Sequence, residues 1–232
     1  MKLLKISSIL LFSVLVSTNL CAQSNTKSIS LKKGEILDIL LIKTKPGTEK
    51  AFEKYRKTAF PVAFKRTYQP LPGFKIAETT QGNIQPSYFA LGKWNDLENR
   101  EKFIAEIETE VPDFHPQRRD IWSHFYLTYY EMPNDISVTF NKDKYIVATA
   151  YWKKDDTSFD KFVKLWLQKS KAKGGDTVLQ LTNGKSPAGY YHNPDILLMT
   201  AWNSKAEFES FYKENLAMNH SGILHLNQFV LN

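Results

Sequence analysis

The stretch Phe89 to Glu106, FALGKWNDLENREKFIAE, decides the fold because the chain repeats its pattern about a hundred residues later. The second copy, Leu197 to Glu214, reads LLMTAWNSKAEFESFYKE. In both copies an apolar run of strand length ends at Trp-Asn, and a helical pattern follows a polar capping residue. At an offset of 108 residues Trp94 falls on Trp202. The recurrence predicts a strand-to-helix joint that occurs twice in one fold.

A second repeat supports a duplicated module. The segment AFEKY at Ala51–Tyr55 matches SFDKF at Ser158–Phe162 with an offset of 107. Two regions that agree within one residue of offset indicate an internal repeat. Each copy predicts strand, helix, strand, strand, helix, strand, which is the order of a ferredoxin-like βαββαβ module. The predicted strands are 36–44, 74–80, 87–94, 124–131, 145–152, 177–182, 196–202 and 223–231.

Two such modules in one chain predict an α+β fold, in which the apolar sheet faces of two tandem ferredoxin-like βαββαβ modules pack together and close. A single module leaves one apolar sheet face bare, and such a face must be covered. The predicted domains are a signal peptide at 1–23, module 1 at 34–132, a linker at 133–143 and module 2 at 144–232.

The N-terminal residues predict export. A short basic lead, Met1–Lys5, precedes an apolar run at Ile6–Val16 and a polar zone that ends at Gln23. This is the pattern of a secretory signal peptide, so we expect a secreted protein, periplasmic or extracellular. No stretch approaches the roughly 20 apolar residues that a membrane-spanning helix needs, so no transmembrane segment is predicted. Leu20 stands where a lipobox has a small residue, which disfavours lipid anchoring at Cys21.

Charge and cysteine content narrow the classes of partner. Without residues 1–23, which include Lys2 and Lys5, 29 basic residues face 24 acidic ones, and the lysines are scattered. We therefore predict no nucleic-acid partner, because such a protein would show a basic stripe or a known motif. Cleavage near Ala22 would leave no cysteine, and the histidines lack the spacing of a zinc site, so no metal is predicted.

On these residues the chain resembles the antibiotic-biosynthesis-monooxygenase-like (ABM-like) proteins of the dimeric α+β barrel superfamily. The resemblance rests on SYFALGKWNDLENREKF and DILLMTAWNSKAEFESF, and it covers 34–232. It implies that the two tandem ferredoxin-like modules form an intrachain dimeric α+β barrel, in which the usual homodimer is fused into one chain. The chain would then be a monomeric pseudo-dimer or a higher homo-oligomer. The superfamily contains cofactor-free oxygenases, haem-degrading enzymes, haem peroxidase relatives and binding proteins, so the fold alone does not choose among them.

The haem-degrading branch can be tested by the residues that the resemblance implies. These are an asparagine in the first strand, a tryptophan in the second helix and a histidine at that helix's end. The asparagine is missing from both copies, and Phe103 and Phe211 stand at the tryptophan position. Only His220 lies near the expected histidine. Haem binding or degradation is therefore the least favoured function, and no cofactor is predicted.

Three side chains are candidates for catalysis. His124 and His225 align as equivalents on the last strands of the two modules, and a histidine of near-neutral pKa can act as a general base. Satisfied structural histidines are the alternative. Asp38 interrupts an apolar strand, where a carboxylate is costly unless it is paired or faces a pocket. It is a candidate proton acceptor, or else it lies at a frayed strand edge.

The aromatic content, with 15 Phe, 11 Tyr and 5 Trp, is sufficient to line a pocket for a flat apolar ligand, although ordinary core packing predicts a similar composition. Tyr126 and Tyr130 share a strand face with His124. Trp94 and Trp202 are predicted to be structural and to seal the sheet edge against the following helix. The side chains predicted to bind a ligand are Phe103, Tyr126, Tyr130, Phe211 and His220.

The leading hypothesis is a secreted protein that binds a small hydrophobic or aromatic molecule between sheet and helices. If it is an enzyme, the expected chemistry is that of a cofactor-independent monooxygenase, or an isomerisation, in which a histidine or aspartate removes a proton from a desolvated substrate. The alternative is a non-catalytic binding or accessory module whose sheets merely close a core.

Overall fold

The computed structural model describes residues 25–232, so the predicted signal peptide and Cys21 lie outside the described residues. Module 1 consists of β2 (Ile36–Thr44), α1 (Glu49–Lys65), β3 (Gln69–Gln81), β4 (Tyr88–Trp94), α2 (Leu97–Glu110), α3 (Phe114–Ile121) and β5 (Trp122–Glu131). Module 2 consists of β7 (Tyr145–Lys153), α4 (Asp156–Ala172), β8 (Asp176–Thr182), β9 (Ile196–Trp202), α5 (Lys205–Leu216) and β10 (Ile223–Leu231). Two further strands, β1 (Thr26–Leu31) and β6 (Ile136–Asn141), lie outside the two modules.

The strands of both modules form one antiparallel sheet in the order β5-β2-β4-β3-β10-β7-β9-β8. Each half has the order last, first, third, second, as a ferredoxin-like module does, and β3 pairs with β10 to join the halves. At the free ends Tyr129 of β5 forms a bridge with Lys185 in the β8–β9 loop. Their backbone N–H groups and carbonyls bond at 2.8 and 2.9 Å, which closes the sheet into a barrel. The predicted α+β barrel is confirmed.

Alternation along β2 divides its side chains between two environments. Leu37, Ile39 and Leu41 belong to the core inside the barrel, whereas Ile36 and Ile42 pack against the helices. Successive strand residues point to opposite faces. Even-numbered β2 residues, Asp38 among them, therefore face the helices of module 1.

The β1–β6 ribbon helps to fill the barrel. Ile29 and Leu31 of β1 and Val138 and Phe140 of β6 are buried in the barrel core. The Phe140 ring packs edge-on against Phe74, with 5.0 Å between centroids. The segment 133–143, predicted to be a linker, thus contains a strand that contributes to the core.

β3 begins at Gln69, five residues before the start of the predicted strand 74–80. Pro70 pairs with Gly92, and a bulge follows between Leu71 and Phe74. This half of β3 pairs with β4 alone, because β10 pairs with β3 from Ile76 onward. Proline is tolerated where one side of a strand makes no ladder bonds.

The repeated Trp-Asn is the strand-to-helix joint that the sequence predicts. Trp94 and Trp202 end β4 and β9, and both are buried. The following helices are capped by Asp96 and Ser204, whose side chains accept from the backbone N–H three residues later. Such caps stabilise a helix by about 1 kcal/mol.

Within residues 25–232, the helices include none that combines the length and apolar character needed to span a bilayer.

Candidate functional site

A cavity of about 380 Å³ lies between the three helices of module 1 and its sheet. Two of its lining side chains, Phe52 and Tyr88, are 40% and 45% exposed and mark its mouth. Cavities of roughly 300–1,000 Å³ with apolar walls and a few polar groups are typical of small-molecule sites. The aromatic side chains of the wall are Phe52, Tyr55, Phe60, Tyr68, Tyr88, Trp94, Phe103, Trp122 and Phe125.

The polar centre of the cavity is a buried ion pair. Asp38 is 4% exposed, and its Oδ1 accepts from Arg100 Nε at 2.9 Å. Its Oδ2 accepts from Trp94 Nε1 at 2.8 Å. Asp38 is therefore neither solvent-exposed nor at a frayed strand edge.

Arg100 reaches the carboxylate from the first turns of α2, and it is 1% exposed. Its guanidinium lies 3.6 Å from the ring centroid of Tyr129, and Nη1 donates to Glu101 at 3.0 Å. Both oxygens of Asp38 therefore accept hydrogen bonds from side-chain N–H groups, one of which belongs to a cation. In this arrangement Asp38 orients Arg100 and Trp94, and each of its oxygens keeps a further lone pair that can accept another hydrogen bond.

Tyr68 supplies a hydroxyl to the same wall. Its ring lies 5.0 Å from that of Trp94 and covers Gly92, where a Cβ would collide with the phenol. Burial, assisted by the nearby charge of Asp38, raises the pKa of Tyr68. The hydroxyl therefore stays protonated at neutral pH and can donate a hydrogen bond.

A second arginine, Arg118 of α3, also lines the cavity and is 6% exposed. Its Nε donates to the Tyr55 hydroxyl at 3.0 Å. The guanidinium carbon lies 4.0 Å from the Phe114 ring and 4.4 Å from that of Phe125. Nη1 is buried and has no hydrogen-bond partner in the described part of the chain.

The equivalent positions of module 2 carry large or apolar side chains. The strand registers set Asp38 opposite Gly92, and they set Val147 opposite Thr200 at the same place. Arg100 lies six residues after Trp94, as Phe208 lies six after Trp202. Ala59 of the cavity wall corresponds, at the repeat offset of 107, to Trp166, which is 1% exposed and packs edge-on against Phe211.

Only part of the predicted ligand-binding set meets at the cavity. Phe103 lines it together with Asp38. Tyr126 and Tyr130 point to the other face of β5 and pack with the barrel core. In module 2 the ring of Phe211 stacks on Trp202, with 5.1 Å between centroids, and His220 packs against Phe162. Trp94, predicted to be structural, both ends its strand and binds Asp38.

The two predicted catalytic histidines occupy equivalent strand positions but do not line the cavity. His124 lies opposite Lys43 on β2, and His225 lies opposite Trp152 on β7. The Trp152 ring also packs at right angles to His192, with 4.9 Å between centroids. Burial lowers the pKa of His192 to about 4, so this imidazole is neutral at neutral pH. The structure does not bring His124 or His225 to Asp38.

Sequence reasoning missed both arginines of the site. Each lies within an apolar helical stripe: Arg100 with Phe103 and Ile107, and Arg118 with Phe114 and Ile121. A charged residue at a core-facing position was the signal that could have identified them, because arginine is almost never fully buried unless paired. Among the described side chains, no group of three or more His, Cys, Asp or Glu is arranged to hold a metal ion.

Comparison with known proteins gives no family: no family model and no curated protein matches. Among solved structures the chain is similar to an anthrone oxidase-like protein, with 14% identity and a TM-score of 0.49, covering 88% of this chain and 94% of that one. It is also similar to a candidate monooxygenase from Fusobacterium nucleatum, with 13% identity, a TM-score of 0.42 and 87% and 93% coverage. A mutant chlorite dismutase from Candidatus Nitrospira defluvii matches with 6% identity, a TM-score of 0.46 and 87% and 92% coverage. At these values the likenesses carry no argument about the site.

Proposed function

We propose that the chain binds a small, flat, apolar or aromatic molecule in the cavity of module 1. The observation that carries this proposal is the difference between the two modules. Module 1 keeps a cavity and the buried Asp38–Arg100 pair, where module 2 has Val147 and Phe208. A buried ion pair can often be replaced by apolar residues without loss of stability. The fold therefore does not need this pair, and a ligand is the reason that best accounts for it.

The chemistry of the wall supports a flat ligand with a polar edge. Aromatic rings line most of the cavity and favour stacked or edge-on contact with another ring system. The hydroxyl of Tyr68 and the guanidinium of Arg100 are donors for an oxygen on such a ligand. The sequence-based resemblance to ABM-like proteins is compatible with this ligand class and remains a prediction.

The proposal is tested by filling the cavity with the residue that module 2 uses. Titration calorimetry with 2-naphthol should show saturable binding to the wild-type chain, and Ala59→Trp should abolish it. The matched control is Ala105→Trp on the exposed side of α2, which should bind as wild type does. Circular dichroism establishes that each variant is folded. If folded Ala59→Trp binds 2-naphthol as tightly as wild type does, the ligand does not occupy this cavity.

Cofactor-independent oxygenation is the second candidate function, and the buried carboxylate favours it. Asp38 is the only acidic side chain among the described residues that line the cavity. A bound phenol would transfer its proton to a lone pair of Asp38 that neither Arg100 nor Trp94 occupies. Oxygen uptake with an identified ligand should then be lost in Asp38→Asn and kept in His124→Ala and His225→Ala. Equal uptake by Asp38→Asn and wild type would exclude this role.

Export to the periplasm or the cell exterior is proposed from the N-terminal pattern alone. The mass of the protein recovered from its native host should match removal of a segment ending near Ala22. An intact N-terminus would contradict export, whereas a lipid on Cys21 would contradict only the expected cleavage near Ala22.

A further inference from the structure

We propose that the ligand of this cavity is an aromatic carboxylate whose anionic group pairs with Arg118. This inference rests on the proposed binding function and specifies the substrate class. The two arginines of the cavity wall differ in their ion-pair partners. Arg100 is neutralised by Asp38 and contacts Glu101, whereas no carboxylate of the described residues lies within ion-pair distance of Arg118.

Burial makes the missing partner significant. Arg118 is 6% exposed, and its hydrogen bonds go to the neutral hydroxyls of Tyr55 and Tyr190, while its Nη1 is buried and has no partner among the described residues. Buried charges in proteins are normally paired, because an unpaired one loses its hydration without compensation. The rings of Phe114 and Phe125 attract the cation but cannot accept its in-plane N–H bonds. A carboxylate in the cavity would supply both the charge and the acceptor oxygens.

The element that carries Arg118 is itself specific to module 1. In module 2, residues 217–222 connect α5 directly to β10, and no helix corresponds to α3. The duplicated fold therefore forms without α3, as it forms in module 2 with Trp166 where module 1 has the cavity wall residue Ala59. The cavity and the unpaired cation occur together in the same module, which is expected if both serve one ligand.

A residue of module 2, Tyr190, packs against Arg118. Tyr190 of the β8–β9 loop has its ring centroid 5.1 Å from the Arg118 guanidinium, and its hydroxyl bonds to His115 Nδ1 at 2.5 Å. Its backbone carbonyl accepts from Leu127 N at 3.0 Å, which fixes the loop on β5.

The test compares two ligands that differ in charge and little in shape. Titration calorimetry at pH 7 should show 2-naphthoate binding the unmodified protein at least about tenfold more tightly than 2-naphthamide, as expected for a hydrogen bond between ionised groups. Arg118→Met should reduce this preference to about one, whereas Arg118→Lys should retain part of it. The matched control, Arg119→Met, removes an exposed cation from the same helix and should keep the full preference.

The outcomes separate this proposal from the one on which it rests. Equal affinity for the two ligands in wild type would overturn the carboxylate proposal and leave aromatic binding intact. Binding of neither would overturn both. If folded Arg118→Met still prefers 2-naphthoate to 2-naphthamide, a group other than Arg118 binds the carboxylate and the proposal is wrong. If Arg118→Met fails to fold, the wild-type comparison and Arg118→Lys still decide.

Discussion

Replacing Asp38 by valine, the residue at the equivalent position of module 2, should destabilise the chain strongly unless Arg100 is replaced as well. Removing one partner of a buried ion pair typically costs about 3–5 kcal/mol. Arg100 would keep its contacts with Glu101 and the Tyr129 ring, so we expect a cost at the lower end of this range, about 3 kcal/mol. Trp94 Nε1 would also lose its acceptor, at a cost of about 1–3 kcal/mol.

The double variant Asp38→Val with Arg100→Phe reproduces the pair Val147 and Phe208 and removes both charges. Its free energy of unfolding should be only about 1–3 kcal/mol lower than that of wild type, because the Trp94 indole is then the only buried polar group of the site that has lost its hydrogen-bond partner. The coupling between the two substitutions should be about 3 kcal/mol or more. Arg100→Phe alone should be destabilising, since it leaves Asp38 buried with one donor.

Urea unfolding at 25 °C, followed by tryptophan fluorescence and circular dichroism, measures all four corners of this cycle. Glu53→Ala, which breaks the exposed Lys57–Glu53 pair, is the control and should leave the midpoint almost unchanged. If the two single costs simply add in the double variant, the reasoning about an unpaired buried charge is refuted. Equal m-values are required for the comparison to hold.

Three further predictions concern buried residues in and outside the site. Burial lowers the pKa of His192 from 6.5 to about 4. Between pH 4 and 6.5 the His192 imidazole is therefore protonated in the unfolded chain and neutral in the folded chain. Stability should therefore fall as the pH falls from 6.5 to 4, by about 3 kcal/mol at most, and His192→Gln should flatten the profile measured by urea unfolding. Trp166→Ala should cost about 3–5 kcal/mol in the same assay, yet leave 2-naphthoate affinity unchanged, because it opens module 2 only. Gly92→Ala should weaken 2-naphthoate binding by calorimetry, since the new methyl displaces the Tyr68 ring from its place; unchanged affinity would show that Tyr68 is not part of the wall.

The sequence predicts most of the barrel because its strands are marked by apolar runs and by an internal repeat. The predicted bounds of β2 and β10 agree with the structure, and the Trp-Asn joint recurs at both predicted places. The β1–β6 ribbon was not predicted. Its strands are short, and they pair across more than a hundred residues, so no local pattern reveals that Val138 and Phe140 enter the barrel.

The site is less predictable because it depends on which strand face meets the helices. The isolated acid in an apolar strand identified Asp38, and the structure shows that it is paired. Tyr126 and Tyr130 share a face with each other, as predicted, but that face belongs to the barrel core. Periodicity finds a shared face, whereas only the three-dimensional packing decides what the face meets.

The central claim is that one module of the two binds an anionic aromatic molecule. Native mass spectrometry of the chain with excess 2-naphthoate tests it most directly, because it counts bound molecules. The account predicts one molecule per chain, none on Ala59→Trp and one on Ala105→Trp. Two molecules per chain, or one that persists on folded Ala59→Trp, would contradict it.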